Sequence, residues 1–144
     1  MARRAPAPSP ATPFFEICVQ GQPVSAQTAN RQALRTWKAT VADAARTAWT
    51  WNAPLTGDVA FEIAYYAEGK TGDLDNLVKP IQNALQGIAY ANDTQVRKLS
   101  GARFDIDANY KVRFMPLILG AAFAGGRPFI HIRVWRSPVT GELS

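Results

Sequence analysis

The segment from residue 73 to residue 95 holds the side chains whose types and spacing could do chemistry. Asp73 and Asp75 lie two residues apart, Lys79 follows four residues after the second carboxylate, and Asp93 comes some 14 residues later. In extended backbone, residues two apart project to the same side. Two carboxylates held together repel each other unless one is protonated or a cation lies between them. A hard divalent cation with oxygen ligands is the natural occupant of such a pair.

The lysine extends this pattern toward phosphate chemistry. Asp75 and Lys79 share a face if one helix runs through both. A lysine beside such a cation site can pair with a phosphate oxygen and stabilise the negative charge that builds on it. Asp93 would supply a third carboxylate if the chain returns to the start of that helix. Three carboxylates and a lysine suit Mg²⁺-assisted hydrolysis of a phosphodiester.

Each part of the pattern also has an ordinary structural interpretation. Asp73 could be an N-cap and Asp75 a first-turn helix residue. Lys79 by itself is typical of a solvated helix surface, and Asn92-Asp93 is typical of a turn. An acidic cluster that binds Ca²⁺ for structure alone is a further alternative. The joint pattern favours the nuclease interpretation more than any of its parts does.

Composition excludes several classes of protein. The 144 residues include one cysteine and one histidine, so a disulfide within the chain and the usual zinc frameworks are excluded. Hydrophobic residues make up 47% and charged residues 19%, which predicts one folded domain. The net charge of +5 is concentrated in residues 96–144, which carry eight Lys/Arg and three Asp/Glu. Such a basic surface attracts nucleic acid, and an ordinary solvated basic face is the alternative.

The start of the chain predicts a tail and not a targeting signal. Residues 1–13 are rich in Pro and Ala, which predicts a flexible tail followed by a single domain over residues 14–144. No apolar region follows the two N-terminal arginines, and no stretch is long enough to cross a bilayer. We therefore expect a cytoplasmic protein, consistent with its single thiol.

Hydrophobic patterning predicts a mixture of strands and helices. Strands are predicted over residues 14–19, 58–67, 96–106 and 129–135, and helices over residues 31–49 and 75–89. Pro80 inside the second helix predicts a kink or a late helix start. The order β, α, β, α, β, β predicts an α+β domain in which one mixed sheet carries two helices. Residues 114–126 could form a loop or an interface patch.

The string DLDNLVKPIQNALQGIAYANDTQV, residues 73–96, resembles the signature of the RusA family of Holliday-junction resolvases. That family shows Asp-Leu-Asp-Asn, a lysine four residues after the second Asp, an Ala-Leu near the helix end, and then Asp-Asp-x-Gln. The resemblance implies a Mg²⁺-dependent endodeoxyribonuclease, with Mn²⁺ as a substitute, acting in DNA recombination and repair. It implies Asp73, Asp75 and Asp93 as metal ligands and Lys79 as the catalytic lysine. It also implies a homodimer whose two sites cut opposing strands of a four-way junction.

The chain departs from the family pattern at three places. Asn92 stands where the family often has a first Asp, while Asp93 fills the place of the second, which appears in the family as the essential ligand. Asn92 can still offer a carbonyl oxygen. The loop before the motif carries one basic residue, Lys70, where the family can be arginine-rich. Asn83 stands where an acidic residue is common.

Basic and aromatic residues outside the motif are candidates for DNA contacts. Residues that could contact the DNA backbone, each with an ordinary surface role as the alternative, are Lys70, Arg97, Lys98 and Arg103. Aromatic residues that could stack on a splayed base, with core or interface packing favoured, are Trp37, Trp49, Trp51 and Tyr90. Two further functions stay open: a nuclease acting on flaps, forks or other branched DNA, and a DNA-binding module that does not cut.

Overall fold

The computed structural model describes residues 13–68, 73–106, 118, 121–122 and 126–136. The elements in chain order are strand β1 (Phe15–Gln20), helix α1 (Arg31–Ala48), strand β2 (Val59–Ala67), helix α2 (Leu74–Leu85), a 3-10 turn (Asp93–Gln95), strand β3 (Val96–Asp105) and strand β4 (Phe129–Arg136). Three predictions fall wholly or mostly outside the described residues: the tail over residues 1–13, the DNA contact at Lys70, and the loop or interface patch over residues 114–126.

The four strands form one mixed sheet in the order β1-β4-β2-β3. Strand β4 runs antiparallel to both β1 and β2, whereas β2 and β3 are parallel. A parallel pair needs a crossover connection, and helix α2 provides it. The predicted fold is confirmed: a single α+β domain with one mixed sheet and two helices.

The core lies between the helices and one face of the sheet. Alternate residues of each strand turn the same way, and on this face they are almost wholly apolar. The buried residues of helix α1 are Leu34, Trp37, Val41 and Ala45, and the central strands contribute Phe61, Ile63, Tyr65, Ile130, Ile132 and Val134. None of the described helices combines the length and apolar character that crossing a membrane requires.

Helix α2 begins at Leu74 and continues through Pro80, so of the two effects expected from this proline, a kink or a late helix start, the late start is wrong. A proline has no N–H, so the carbonyl four residues earlier, that of Asn76, loses its helical partner. The backbone N–H of Ala26 donates to that carbonyl over 2.9 Å. The loop before α1 therefore replaces the hydrogen bond that the proline removes. The helix ends at Leu85, four residues before the predicted end.

Helix α2 and strand β3 approach each other closely at Gly101. A Cβ at this position would lie 2.9 Å from Cγ2 of Val78 and 3.5 Å from Cδ2 of Leu74. Real side chains do not pack that tightly, so glycine is what lets the first turns of α2 lie against β3. This contact sets the distance between helix α2 and the edge strand β3.

The opposite face of the sheet carries a row of polar side chains. Arg133 of β4 forms an ion pair with Glu62 of β2. Nε2 of His131, a residue outside the acidic motif, lies 2.5 Å from a carboxylate oxygen of Glu16.

The thiol of Cys18 lies on this same face, because Cys18 pairs in register with His131. Burial, and then the negative charge of Glu16, raise the pKa of the Cys18 thiol to about 12, so this thiol is a protonated structural group.

Candidate functional site

An open cleft lies between the N-terminal half of helix α2 and strand β3. Its volume is about 260 Å³, and its lining residues are Leu74, Asp75, Val78, Lys79 and Gln82 from the helix and Leu99 and Gly101 from the strand. Residues four apart in a helix lie on the same face, so the structure brings Asp75 and Lys79 together at the cleft. Gly101, which lets α2 lie close to β3, is also one of the residues that line the cleft.

Asp73 occupies the N-cap position of α2, with φ −60° and ψ 133°, but its side chain forms no capping hydrogen bond. Its backbone carbonyl accepts from the N–H groups of Asn76 and Leu77. The backbone of Asp73 thus starts the helix, while its exposed carboxylate is not used as a cap. The partial positive charge at a helix N-terminus favours both this carboxylate and that of Asp75 in the first turn.

Asp93 begins the 3-10 turn and is linked to α2 through one tyrosine. The hydroxyl of Tyr90 lies 3.0 Å from Oδ1 of Asp93 and 2.9 Å from the backbone oxygen of Gln82, a residue that lines the cleft. One hydroxyl hydrogen therefore serves two acceptors. Burial, and then the contact with Asp93, raise the pKa of Tyr90, so the phenol remains a donor at neutral pH.

The structure does not gather the three carboxylates around one point. Within residues 13–68, 73–106, 118, 121–122 and 126–136, no group of three or more His, Cys, Asp or Glu side chains lies close enough together to hold a metal. Asp75 lines the cleft, Asp73 lies two residues before it in the chain, and Asp93 is not a lining residue. Mg²⁺ is commonly held by one or two carboxylates, with water and substrate phosphate supplying the other oxygens. The donor types at the helix start fit that mode of binding.

A capping box shapes the turn that carries the third carboxylate. Oδ1 of Asn92 accepts from the N–H and the hydroxyl of Thr94. The carbonyl oxygen of the Gln95 side chain accepts two backbone N–H bonds, and its amide nitrogen donates to the carbonyls of Leu55 and Gly57 over 2.9 and 2.7 Å. Asn92 therefore serves as a cap. Gln95 is a residue that the sequence reasoning missed, although the Asn-x-x-Gln spacing is its signal.

The basic residues of β3 divide between the two faces of the sheet. Arg103 lies two residues after Gly101 and so shares the side of the strand that faces the cleft. Lys98 pairs with Ala60 in register and lies on the opposite side. Arg97 forms an exposed ion pair with Asp58 over 3.3 Å.

The four aromatic candidates differ in exposure. Trp37 and Tyr90 are buried, as core packing requires. Trp49 is half-buried, and its ring packs edge-on against Phe15 with centroids 4.9 Å apart. Trp51 is 55% exposed. Core packing accounts for the first two residues but leaves Trp51 unexplained.

Comparison with known proteins decides the family. The model of the family described as Endodeoxyribonuclease RusA matches residues 15–114, which is well over half of the chain and includes both halves of the acidic motif. The chain belongs to the RusA family. A search of curated proteins finds no match to it. As a RusA-family member the chain is a nuclease of the endodeoxyribonuclease class, and the resemblance seen in its sequence is confirmed. The cleft on α2 lies within the matched part of this RusA chain.

Proposed function

We propose that this chain is a Mg²⁺-dependent endonuclease that resolves Holliday junctions by paired nicks during DNA recombination and repair in the cytoplasm. Family membership supports the cleavage of DNA. The observation that carries the proposal is the open cleft, where Asp75 and Lys79 lie on one face at the start of α2. The carboxylate of Asp75 can bind a metal cation, and the ammonium group of Lys79 can bind an oxygen of the phosphodiester beside it.

The proposed metal ligands are Asp73, Asp75 and Asp93. None of these carboxylates forms an ion pair with another described residue, so no Lys or Arg of the described part of the chain has to be displaced before Mg²⁺ or Mn²⁺ binds. When bound, the cation supplies Lewis-acid polarisation of the scissile phosphate. Asp73 and Asp75 would hold it with oxygens of the DNA and of water. Asp93 is the third ligand by the family pattern.

Lys79 has the role of binding the scissile phosphate. Its exposed side chain lies on the cleft face of α2, one turn after Asp75. A positive charge there compensates the charge that builds on the phosphate oxygens as water attacks the phosphorus and a P–O bond breaks. The N-terminal end of the helix adds a partial positive charge of the same sign.

Two residues position the third carboxylate. Tyr90 donates toward Asp93 from a hydroxyl that also contacts the helix. Gln95 ties the turn of Asp93 to the segment before β2 through two hydrogen bonds. Together they limit where the carboxylate can move when a cation and DNA occupy the cleft. Partners of this kind are worth about 10- to 100-fold in metal affinity or activity.

Paired nicks require two copies of the cleft. A four-way junction presents two equivalent strands related by two-fold symmetry, and one cleft can cut one of them. A symmetric homodimer supplies a second, identical cleft in the matching orientation. We therefore propose a homodimer as the active form.

The test compares Asp75→Asn with Asp43→Asn on a labelled four-way junction in Mg²⁺. Both variants remove one negative charge, but Asp43 lies on α1 in an exposed pair with Arg46. We expect Asp75→Asn, and likewise Asp73→Asn, to lose about 100-fold or more of cleavage activity because a proposed metal ligand is lost. Junction binding should be kept or tightened, since a negative charge near the phosphates has gone. Asp43→Asn changes no residue of the cleft, so with saturating junction its cleavage rate should equal that of the wild type.

Two outcomes would overturn parts of the proposal. Cleavage by Asp75→Asn at nearly the wild-type rate would refute the site. Single nicks on flaps or forks, without paired nicks on the four-way junction, would support the alternative nuclease on other branched DNA.

A further inference from the structure

The loop after helix α1 presents an exposed tryptophan on a backing of aromatic rings. Trp51 is the most exposed large hydrophobic residue in the described part of the chain, at 55%. Its ring stacks on Phe14, with centroids 4.9 Å apart and planes at 26°. Phe14 in turn contacts the half-buried Trp49, with centroids 5.9 Å apart. The indole of Trp51 is therefore supported from behind while much of its surface faces solvent.

A cavity of about 330 Å³ adjoins this ring. The residues that line it include Arg46, Trp49, Trp51, Asn52, Gly87 and Ile88. Gly87 has φ +90°, and a Cβ there would meet no atom within 4 Å, so this side of the cavity is open. A site of this size and shape, with an aromatic wall and a few polar groups, is suited to a flat ligand.

The charged groups around the platform are mainly positive. Arg46 lines the cavity, and the guanidinium of Arg136 lies 4.8 Å above the ring of Phe14. Asp43 pairs with Arg46 over 2.8 Å, but both side chains are largely exposed, and an exposed pair of this kind is weak. An anion can therefore compete for Arg46. The occupant best matched to an aromatic face beside two arginines is a nucleobase with its phosphate.

We propose that Trp51 is a stacking platform for an unpaired base of the DNA substrate, with Arg46 contacting a neighbouring phosphate. The DNA ligand comes from the proposed function, on which this inference rests. Every base has a π-face, so stacking is tolerant of sequence. The amide of Asn52 at the same cavity can bond to a base edge. The platform thus recognises strand opening and not base identity.

The platform and the cleft lie toward opposite ends of helix α2. Asp75 is in the first turn, and Gly87 follows two residues after the last helical residue. Twelve helical residues span roughly 18 Å, and a stacked DNA strand advances about 3.4 Å per nucleotide. The Gly87 side of the cavity therefore lies roughly 18 Å along the helix from its first turn, about the length of five stacked nucleotides. DNA cut at one end of the helix can have an unpaired base held at the other.

The test measures binding of a ten-nucleotide oligothymidylate and of a fully paired duplex of the same length, at one salt concentration and in EDTA. We expect Trp51→Ala to weaken oligothymidylate binding by about 5- to 150-fold, the usual worth of a stacked base. Trp51→Phe keeps an aromatic face and should retain most of the affinity. Duplex binding should change little in either variant. Circular dichroism of both variants checks that they fold.

Three results would overturn the platform: unchanged oligothymidylate binding in Trp51→Ala, equal losses for oligothymidylate and duplex, or loss of self-association with DNA binding intact. The last would show that a second copy of the chain covers Trp51. The proposed nuclease function fails separately. A wild-type chain that binds oligothymidylate through Trp51 but cuts no branched DNA would refute the nuclease and keep the platform.

Discussion

Replacing Tyr90 by phenylalanine removes a hydroxyl that contacts both helix α2 and Asp93, the third carboxylate. Helix α2 ends at Leu85, so the carbonyl of Gln82 is among the last four, which lack helical partners. The N–H of Gln86 bonds to Asn83 instead. The hydroxyl of Tyr90, 2.9 Å away, is therefore the group that satisfies Gln82.

Tyr90→Phe should lose stability because the buried carbonyl of Gln82 is left without a donor. Leaving a buried acceptor without a donor costs about 1–3 kcal/mol. The contact with Asp93 adds little, because that carboxylate is exposed to water. For a chain of this length, we expect Tyr90→Phe to lower the melting temperature by about 3–10 °C. The ring itself stays, so its edge-on packing against Phe61 is kept.

Tyr65→Phe is the matched control. Tyr65 is also buried, burial raises its pKa, and its hydroxyl has no hydrogen-bond partner among the residues that the structure describes. Removing that hydroxyl leaves no orphaned group, so stability should stay the same or rise. In urea denaturation the two variants should separate. In junction cleavage at a temperature where both are folded, Tyr90→Phe should be about 10- to 100-fold slower and Tyr65→Phe unchanged.

Unfolding of Tyr90→Phe at the same urea concentration as the wild type would refute the capping of Gln82 by the Tyr90 hydroxyl. Equal losses of stability in the two variants would refute it too, because the loss would then belong to any buried hydroxyl. A less stable Tyr90→Phe that cuts at the wild-type rate would leave the capping of Gln82 standing and refute the positioning of Asp93.

Two further predictions concern the packing of α2 and the buried thiol. Gly101→Ala places a Cβ 2.9 Å from Val78, so we expect a loss of about 1–3 kcal/mol in urea denaturation and slower cleavage as the cleft shifts; unchanged stability and activity would show that the contact relaxes freely. Burial raises the pKa of Cys18 to about 12, so at pH 8 its alkylation by iodoacetamide should be at least about 30-fold slower in buffer than in guanidinium, since the scarcer thiolate is only partly offset by its higher nucleophilicity. Equal rates by mass spectrometry would contradict a protonated thiol.

Most helices and strands could be predicted because their buried apolar residues recur at regular spacing along the sequence. Both helices and all four strands follow from residues that recur with helical or alternating periods. The end of α2 was not predictable in this way. Ile88, Ala89 and Tyr90 are buried and continue a helix-like pattern, but Gly87 at φ +90° has already turned the chain. Periodicity records burial, and a buried turn gives the same signal as a buried helix.

The continuity of α2 through Pro80 and the position of Asp93 both depend on contacts between segments that are distant in the chain. Pro80 looks like an obstacle until Ala26, 54 residues earlier, is seen to bond to the orphaned carbonyl of Asn76. The placement of Asp75 and Lys79 on one helix face is local and could be predicted from helix geometry. The place of Asp93 depends on tertiary bonds, so the spacing of the acids alone could not supply it.

The exposure of the tryptophans likewise depends on contacts with distant segments, which the local sequence does not show. Trp37 and Trp51 are the same residue type in neighbouring segments, yet the first is 5% exposed and the second 55%. The helical stripe of α1 accounts for Trp37. Nothing in the local pattern around Trp51 shows that Phe14, far away in the chain, supports its ring.

The most direct measurement of the central claim is strand-by-strand nicking of a four-way junction by the wild-type chain, with each of the four strands labelled in turn. We expect symmetric nicks in two opposing strands in Mg²⁺, and none in EDTA. Nicks that persist in EDTA, or an intact junction in Mg²⁺ with folded protein bound to it, would contradict the proposal that the carboxylates at the start of α2 hold a cation for DNA cleavage.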